Sequence, residues 1–363
     1  MRITHVETHR VRIPAATPPF QWRAGLDGSP GDDEGAVLHL RTDEGVDGVA
    51  LLKRPGSAPL LEQAVERHFR GELVGKDPLD RELLWHRAWE IDRIHELPLP
   101  LLGIMDVALW DLAARAAGLP LWQLLGGARH AIPAYASTTT FASVEEYLDV
   151  ADQCLELGYP ALKLHAWGDA RRDARLCEAL REHVGDDVPL MYDGSAGFDL
   201  PDAIHVGRAM SANGYLWYEE PMREFSVHAY RQLAGAVDVP LLVAETSDGA
   251  HMNTADFIVA GTATFGVRTD TVLKGGITGS MRIAHLADAF RLRTEVHGSD
   301  APNRHLCMAI PNTTYYESLV TSTSVVRERH VDADGLVHAP AGPGIGLPAD
   351  LEYPAALEPF VER

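Results

Sequence analysis

The chain has 363 residues, 46% of them hydrophobic, enough to bury a large core and to hold a barrel of about 250 residues beside smaller units. Its formal net charge of −20 argues against nucleic acid and anionic membrane surfaces as partners. The cysteines, Cys154, Cys177 and Cys307, are scattered and form no CxxC, so a reducing compartment is expected and structural zinc is not.

MRITHVETHR carries charge where a signal peptide needs an apolar stretch, and Asp106, Asp111 and Arg115 interrupt the apolar region from Leu97 to Leu125. A cytoplasmic protein is the expectation. Alternation in ITHVETHRVRIP predicts a strand, and AVLHLRTDEGVDGVALL predicts two strands joined at Asp43-Glu44-Gly45. Between them, Thr17 to Gly35 is rich in Pro, Gly and Asp and reads as a mobile loop with Trp22 and Arg23 in its middle. Helical periodicity follows around Leu60 to Leu73 and again in LLGIMDVALWDLAARAAGLPLWQLLGG, where Gly118-Leu119-Pro120 stops the helix and a helical hairpin is expected.

From about Ile132 the pattern becomes strand then helix, repeated. The strand candidates are IPAYAST, ALKLHA, VPLMYD, GYLWYE, PLLVAE, FGVRTD, LRTEVH and CMAIPN. Eight such units favour an α/β fold closed into a (β/α)8-type TIM barrel over an open doubly wound sheet. No GxGxxG or GxxxxGK[ST] sits at a strand end, which argues against a nucleotide site. The tail after Ser324 has no ninth unit and is expected to return to the N-terminal part. The predicted organisation is an α+β capping domain at 1–128, the barrel at 129–323 and a C-terminal segment at 324–363.

Asp193, Glu219 and Glu245 each end an apolar run, and successive members lie 26 residues apart. That interval is about one β/α unit, so each acid would cap a successive strand. Three converging carboxylates repel unless a cation lies between them, and an all-oxygen set suits a hard ion, Mg²⁺ above all. Glu220 adjoins Glu219 but alternates to the opposite strand face, so it receives no role. In ALKLHA, Lys163 and His165 point to one face of a strand, as a proton-transfer pair beside an anion or as a structural ion pair. Asp270 and His297 end strands 27 residues apart, where the carboxylate could fix the imidazole tautomer for general-base work. Glu317, in TTYYESL, could donate a proton or hydrogen bond to a substrate oxygen.

In this order the motifs resemble the mandelate racemase subgroup of the enolase superfamily over essentially the whole chain, with YEEP around Glu219, KGGIT after Asp270 and VALWDLAARAAGLPLWQLLGG in the capping region. The resemblance implies Mg²⁺ on Asp193, Glu219 and Glu245, a base dyad of Asp270 and His297, and Lys163 on the substrate carboxylate. It also implies dimers or octamers. Two departures bear on the reaction: the subgroup commonly has Lys-x-Lys where this chain has Lys163-x-His165, and Ser195 stands where an Asn is often found. Two imidazoles flanking an α-carbon permit 1,1-proton transfer or base-then-acid elimination, with His297 or His165 as the base. The expected activity is dehydration of a sugar acid, an aldonate or aldarate, to a 2-keto-3-deoxy acid. Racemisation, epimerisation or lactone cycloisomerisation would use the same residues, and a non-catalytic binding relative is the remaining class. Trp22, Arg23 and Thr138 are the candidate substrate contacts.

Overall fold

The structure, a computed structural model, describes residues 1–28 and 31–362. Strands β1 (Ile3–Ile13), β4 (Asp33–Thr42) and β5 (Gly48–Leu52) form an antiparallel sheet in the order β1-β4-β5. Between the first two, β2 (Gln21–Arg23) and β3 (Leu26–Asp27) make a small hairpin. It lies in the segment expected to be mobile, of which Ser29 and Pro30 fall outside the described residues. One face of the sheet, with Leu38, Leu40 and Ala50, joins the main core.

Helices α1 (Ser57–Ala64), α2 (Arg70–Leu73), α3 (Arg81–His95), α4 (Leu99–Ala117) and α5 (Leu121–Leu124) complete the cap, with one π-helical turn at Val65–Phe69. Helix α4 stops at Gly118, whose φ of 67° is the left-handed cap conformation that glycine adopts without penalty. The expected helical hairpin is thus a long helix followed by the single turn of α5. Helix α3 was not foreseen; Leu83 and Ile94 face solvent and blur its apolar stripe.

The second part alternates β6 (Ala131–Thr138), α6 (Val144–Glu156), β7 (Ala161–His165), α7 (Ala170–Val184), β8 (Leu190–Asp193), α8 (Leu200–Ala212), β9 (Trp217–Glu219), α9 (Val227–Ala234), β10 (Leu241–Val243), α10 (Ala250–Val259), β11 (Gly266–Thr269), α11 (Gly276–Ala289), β12 (Arg293–Val296), α12 (Ala301–Ala309) and β13 (Tyr316–Val320). Side chains of Ser143, Asp169, Asp199 and Ser226 cap α6 to α9 by accepting from backbone N–H groups in the first turn, so each helix start is locally encoded.

The eight strands β6 to β13 form one curled parallel sheet, ordered β12-β11-β10-β9-β8-β7-β6-β13. Tyr135, Ala161, Met191, Trp217 and Leu242 fill its interior below the site. The eighth strand departs from expectation. Cys307, Met308 and Ala309 of CMAIPN belong to α12, and the strand is YESLV, beginning at Tyr316. A short buried apolar run fits a helix as well as a strand, and here Pro302 in the first turn and Asp300 before it start a helix.

The tail adds β14 (Leu336–His338), antiparallel to β6. Leu347 and Leu357 then pack on Val11, Val37 and Val49, covering the outer face of the capping sheet. Among the described residues no helix is long and apolar enough to cross a membrane.

Candidate active site

The strand register assembles the site. His165 pairs with Asp193 and Asp193 with Glu219 across β7, β8 and β9, so three polar side chains stand level at the C-terminal ends of adjacent strands. Glu245 lies two residues beyond β10, Asp270 and His297 immediately beyond β11 and β12, and Glu317 within β13. All eight residues singled out as catalytic or metal-ligating therefore meet at one barrel mouth.

Asp193, Glu219 and Glu245 each offer an oxygen within 4.8 Å of the others. All three are buried, Glu219 completely. Burial first, and then the charges of Glu219 and Asp193 against the opposing pull of His297, push the Glu245 carboxyl up to about 8. Its Oε2 is buried without a hydrogen-bond partner among the described residues. A cage that resists full ionisation and holds an unsatisfied acceptor fits a divalent cation bound by oxygen. Left-handed backbone at Ser195 (φ 43°), Glu220 (φ 38°) and Ala244 (φ 70°) flanks the three acids, a conformation that costs on the order of 1–3 kcal/mol per residue and clusters at functional sites.

The positive φ also corrects the reading of Glu220. It does not alternate away: it is buried, donated to by Thr246 Oγ1 at 2.7 Å, and its carboxyl is pushed well up by burial and then by Glu245 and Asp193. Glu220 thus lines the same acidic cluster.

Lys163 Nζ is fully buried and lies 3.0 Å from Glu219, 3.3 Å from Asp193 and 2.8 Å from Glu317. Burial alone would lower its pKa, but Glu219 and Glu317 hold it well above the ordinary lysine value. His165 engages both nitrogens: Nδ1 donates to the Thr138 carbonyl at 2.6 Å and Nε2 faces Asp193 Oδ2 at 3.1 Å. Both partners are acceptors, and together they fix the plane of the ring. Burial opposes ionisation of Asp193, yet His165 and then Lys163 hold its carboxyl below the usual range.

His297 Nδ1 meets Asp270 Oδ2 at 2.8 Å, while Nε2 faces the mouth, 3.4 Å from Glu245. Burial works against its protonation; Glu245, and then the hydrogen bond to Asp270, outweigh it and raise the pKa to about 9. With 30% of its side chain exposed, His297 is the reachable member of the dyad.

Glu317 differs from the proton donor expected. Despite burial, Lys163 and Arg268 keep it ionised, and it accepts from Arg268 Nη2 at 2.7 Å and from the Gly298 amide at 2.7 Å. Arg268 went unnoticed in the sequence. Its guanidinium is fully buried, with Nε 2.5 Å from Glu219 and 3.7 Å from Glu245, so it stands beneath the acids as a fixed positive charge. Glu224 was missed too; its carboxylate accepts from the amides of Ala244, Thr246 and Ser247 and so clamps the backbone around Glu245.

The candidate substrate contacts divide. Trp22 packs on His165 with ring centroids 4.9 Å apart, over the mouth. Arg23 turns its Nε to the Ser195 carbonyl at 3.1 Å, tying the β2–β3 hairpin to the loop after β8. Thr138 is committed to scaffolding: its hydroxyl donates to the Lys163 carbonyl at 3.2 Å while its own carbonyl holds His165.

This arrangement has relatives. Residues 16–126 match the family model described as mandelate racemase / muconate lactonizing enzyme, N-terminal domain, and residues 146–353 match that described as enolase C-terminal domain-like. The L-talarate/galactarate dehydratase of Salmonella typhimurium is 28% identical over 360 residues, covering 95% of this chain and 88% of that protein. The 3,6-anhydro-alpha-L-galactonate cycloisomerase of Streptomyces coelicolor is 29% identical over 366 residues, covering 96% and 98% respectively. In structure, D-glucarate dehydratase from Agrobacterium tumefaciens complexed with magnesium superposes with a TM-score of 0.86 at 33% identity, over 95% of this chain and 96% of that one. With both family models matched in order and a cage of three acids at the barrel mouth, the chain belongs to the mandelate racemase / muconate lactonizing enzyme family of the enolase superfamily.

Proposed function

We propose that the protein is a Mg²⁺-dependent sugar acid dehydratase, converting an aldonate or aldarate to a 2-keto-3-deoxy acid. The observation that carries the reading is the placement of two imidazoles at one acidic cage: His297, with Nε2 facing the mouth and Nδ1 held by Asp270, and His165, with Nδ1 against the Thr138 carbonyl and Nε2 against Asp193. A proton α to a carboxylate is a very weak acid, and its removal leaves two negative oxygens. Mg²⁺ on Asp193, Glu219 and Glu245 would supply the charge that stabilises them.

Lys163, with Nζ among Asp193, Glu219 and Glu317, supports the substrate carboxylate from the barrel side. In its neutral form, which a cation on Glu245 would favour by cancelling the charge that raises its pKa, His297 takes the α-proton at Nε2, and Asp270 stabilises the imidazolium that forms. The β C–O bond then breaks, the hydroxyl leaving as water with a proton from His165 Nε2, and the resulting enol tautomerises to the ketone. Glu317 and Arg268 hold Lys163 and Glu219 in place without contacting the reacting carbon. Trp22, against His165, closes the site toward the hairpin. Relatives in the same family include a cycloisomerase, which is the second reading and draws on the same residues.

The test is a stereochemically complete library of aldonic and aldaric acids with Mg²⁺ in D₂O, following 2-keto acid and α-deuterium together. Keto acid from one configuration establishes dehydration and names the substrate. Deuterium uptake without keto acid assigns an isomerase instead, and silence on every acid rejects acyclic sugar acids in favour of lactones.

A further inference from the structure

A second cluster of metal-ligating side chains lies in the cap. Glu7 and His9 share one face of β1, and His39 on β4 sits directly across from Glu7 in the ladder. His39 Nδ1 lies 3.4 Å from His9 Nε2, and Glu7 Oε2 lies 3.7 Å from that His9 nitrogen and 3.9 Å from that His39 nitrogen. One oxygen and two imidazole nitrogens thus face a common point, all within 4.8 Å of one another.

The surroundings leave those atoms free for a ligand. Glu7 turns its other oxygen, Oε1, to Arg41 at 3.9 Å. His39 Nε2 meets Asp47 Oδ2 at 3.1 Å. A carboxylate only accepts, so the tautomer with its proton on Nε2 suits Asp47 and turns the Nδ1 lone pair toward His9 and Glu7. That carboxylate behind a histidine is the support that metal-ligating imidazoles generally have. His39 is 3% exposed and has Phe360 of the tail edge-on at 5.4 Å, so the nitrogen is held in place rather than free to swing into water. Two imidazole lone pairs and a carboxylate oxygen this close are in conflict unless a proton or a cation joins them.

We propose that Glu7, His9 and His39 form a second metal site, for a transition-metal ion of the Zn²⁺ class, with Asp47 orienting His39. Tetrahedral coordination with bonds of about 2.0–2.2 Å puts donor atoms about 3.3–3.5 Å apart, so the observed separations close with shifts of a few tenths of an ångström. The donor set separates this site from the barrel cage: nitrogen-rich ligands select transition metals, whereas three carboxylates suit Mg²⁺. A fourth position opens toward solvent, where His9 is 20% and Glu7 37% exposed. A bound ion would cross-link β1 to β4 beside the contact between the sheet and the tail.

The test uses the full chain, stripped with chelator and returned to millimolar Mg²⁺ to occupy the cage. Zn²⁺ binding is measured by equilibrium dialysis, and Co²⁺ is titrated as a visible-absorption probe of tetrahedral geometry. The wild type should take up about one Zn²⁺ per chain that His9→Gln and His39→Ala lose and that Asp47→Asn weakens by about 10–100-fold. Glu245→Gln, which alters only the cage, should keep it. His9→Gln is at a partly exposed position and serves if His39→Ala fails to fold. No uptake by the wild type, or equal uptake and affinity in His9→Gln, overturns the site.

Discussion

At the scale of single residues, the roles of the two imidazoles rest on what each nitrogen touches. His297 presents Nε2 to the mouth and is backed by Asp270, whereas His165 has both nitrogens occupied. His297→Asn should therefore lower turnover and α-proton exchange by about 10²–10⁴-fold, the range of general-base contributions, while Mg²⁺ affinity by calorimetry stays close to wild type. Persistent α-exchange in that variant would transfer the base role to His165. The acids and imidazoles of this site were legible in the sequence because a fixed spacing set them at strand ends. Arg268 was not, since a lone charged residue inside a strand reads as solvent-facing, and only the curvature of the sheet reveals that it points among Glu219, Glu245 and Glu317. Glu220 was misplaced because side-chain alternation stops where the backbone turns left-handed at φ 38°.

At the scale of elements, the loop that carries Asp270 is held by the cap. Trp85 donates to the Gly275 carbonyl at 2.7 Å, Trp110 donates to Thr278 at 2.9 Å, and Asp106 on α4 accepts from the Thr278 amide at 2.8 Å at the start of α11. Gly103 allows this approach: a Cβ there would stand 2.3 Å from the Thr271 carbonyl oxygen, one residue beyond Asp270. Backbone cannot yield as a flexible side chain does, so Gly103→Ala should cost about 1–3 kcal/mol. It should also reduce kcat by disturbing the dyad. Gly71→Ala in α2 meets nothing within 4 Å and is the control, neutral or slightly stabilising. Equal urea midpoints and equal kcat for Gly103→Ala and wild type would show that the contact does not constrain the loop. The capping strands and seven of the barrel strands follow from alternation and from β/α spacing. The eighth does not, because Cys307, Met308 and Ala309 are as apolar in helix α12 as they would be in a strand, and the signals that decide it, Asp300 and Pro302, stand several residues upstream of that run.

At the scale of the whole molecule, barrel, cap and tail meet at one side chain. His305 on α12 accepts from the Trp122 amide of α5 through Nδ1 at 3.2 Å and donates from Nε2 to the Ile345 carbonyl of the tail at 3.1 Å. The ring is fully buried and must be neutral to serve both partners. Burial lowers its pKa to about 3, with Arg304 adding to the effect and the Ile345 carbonyl opposing it. The unfolded chain, near 6.5, binds this proton more readily than the folded one throughout the interval between those values. Folding stability from His305 is thus fully present above the unfolded pKa and falls as pH drops from about 6.5 toward 3, by at most about 1.4 kcal/mol per pH unit. Between pH 7 and pH 5 the loss should be on the order of 2 kcal/mol, read as a drop in the urea midpoint. His305→Gln keeps an acceptor and a donor but no titrating group, so it should start less stable at pH 7 and lose less on acidification. If wild type and variant lose the same amount, acid sensitivity arises from other groups and the junction of the three parts is indifferent to this proton.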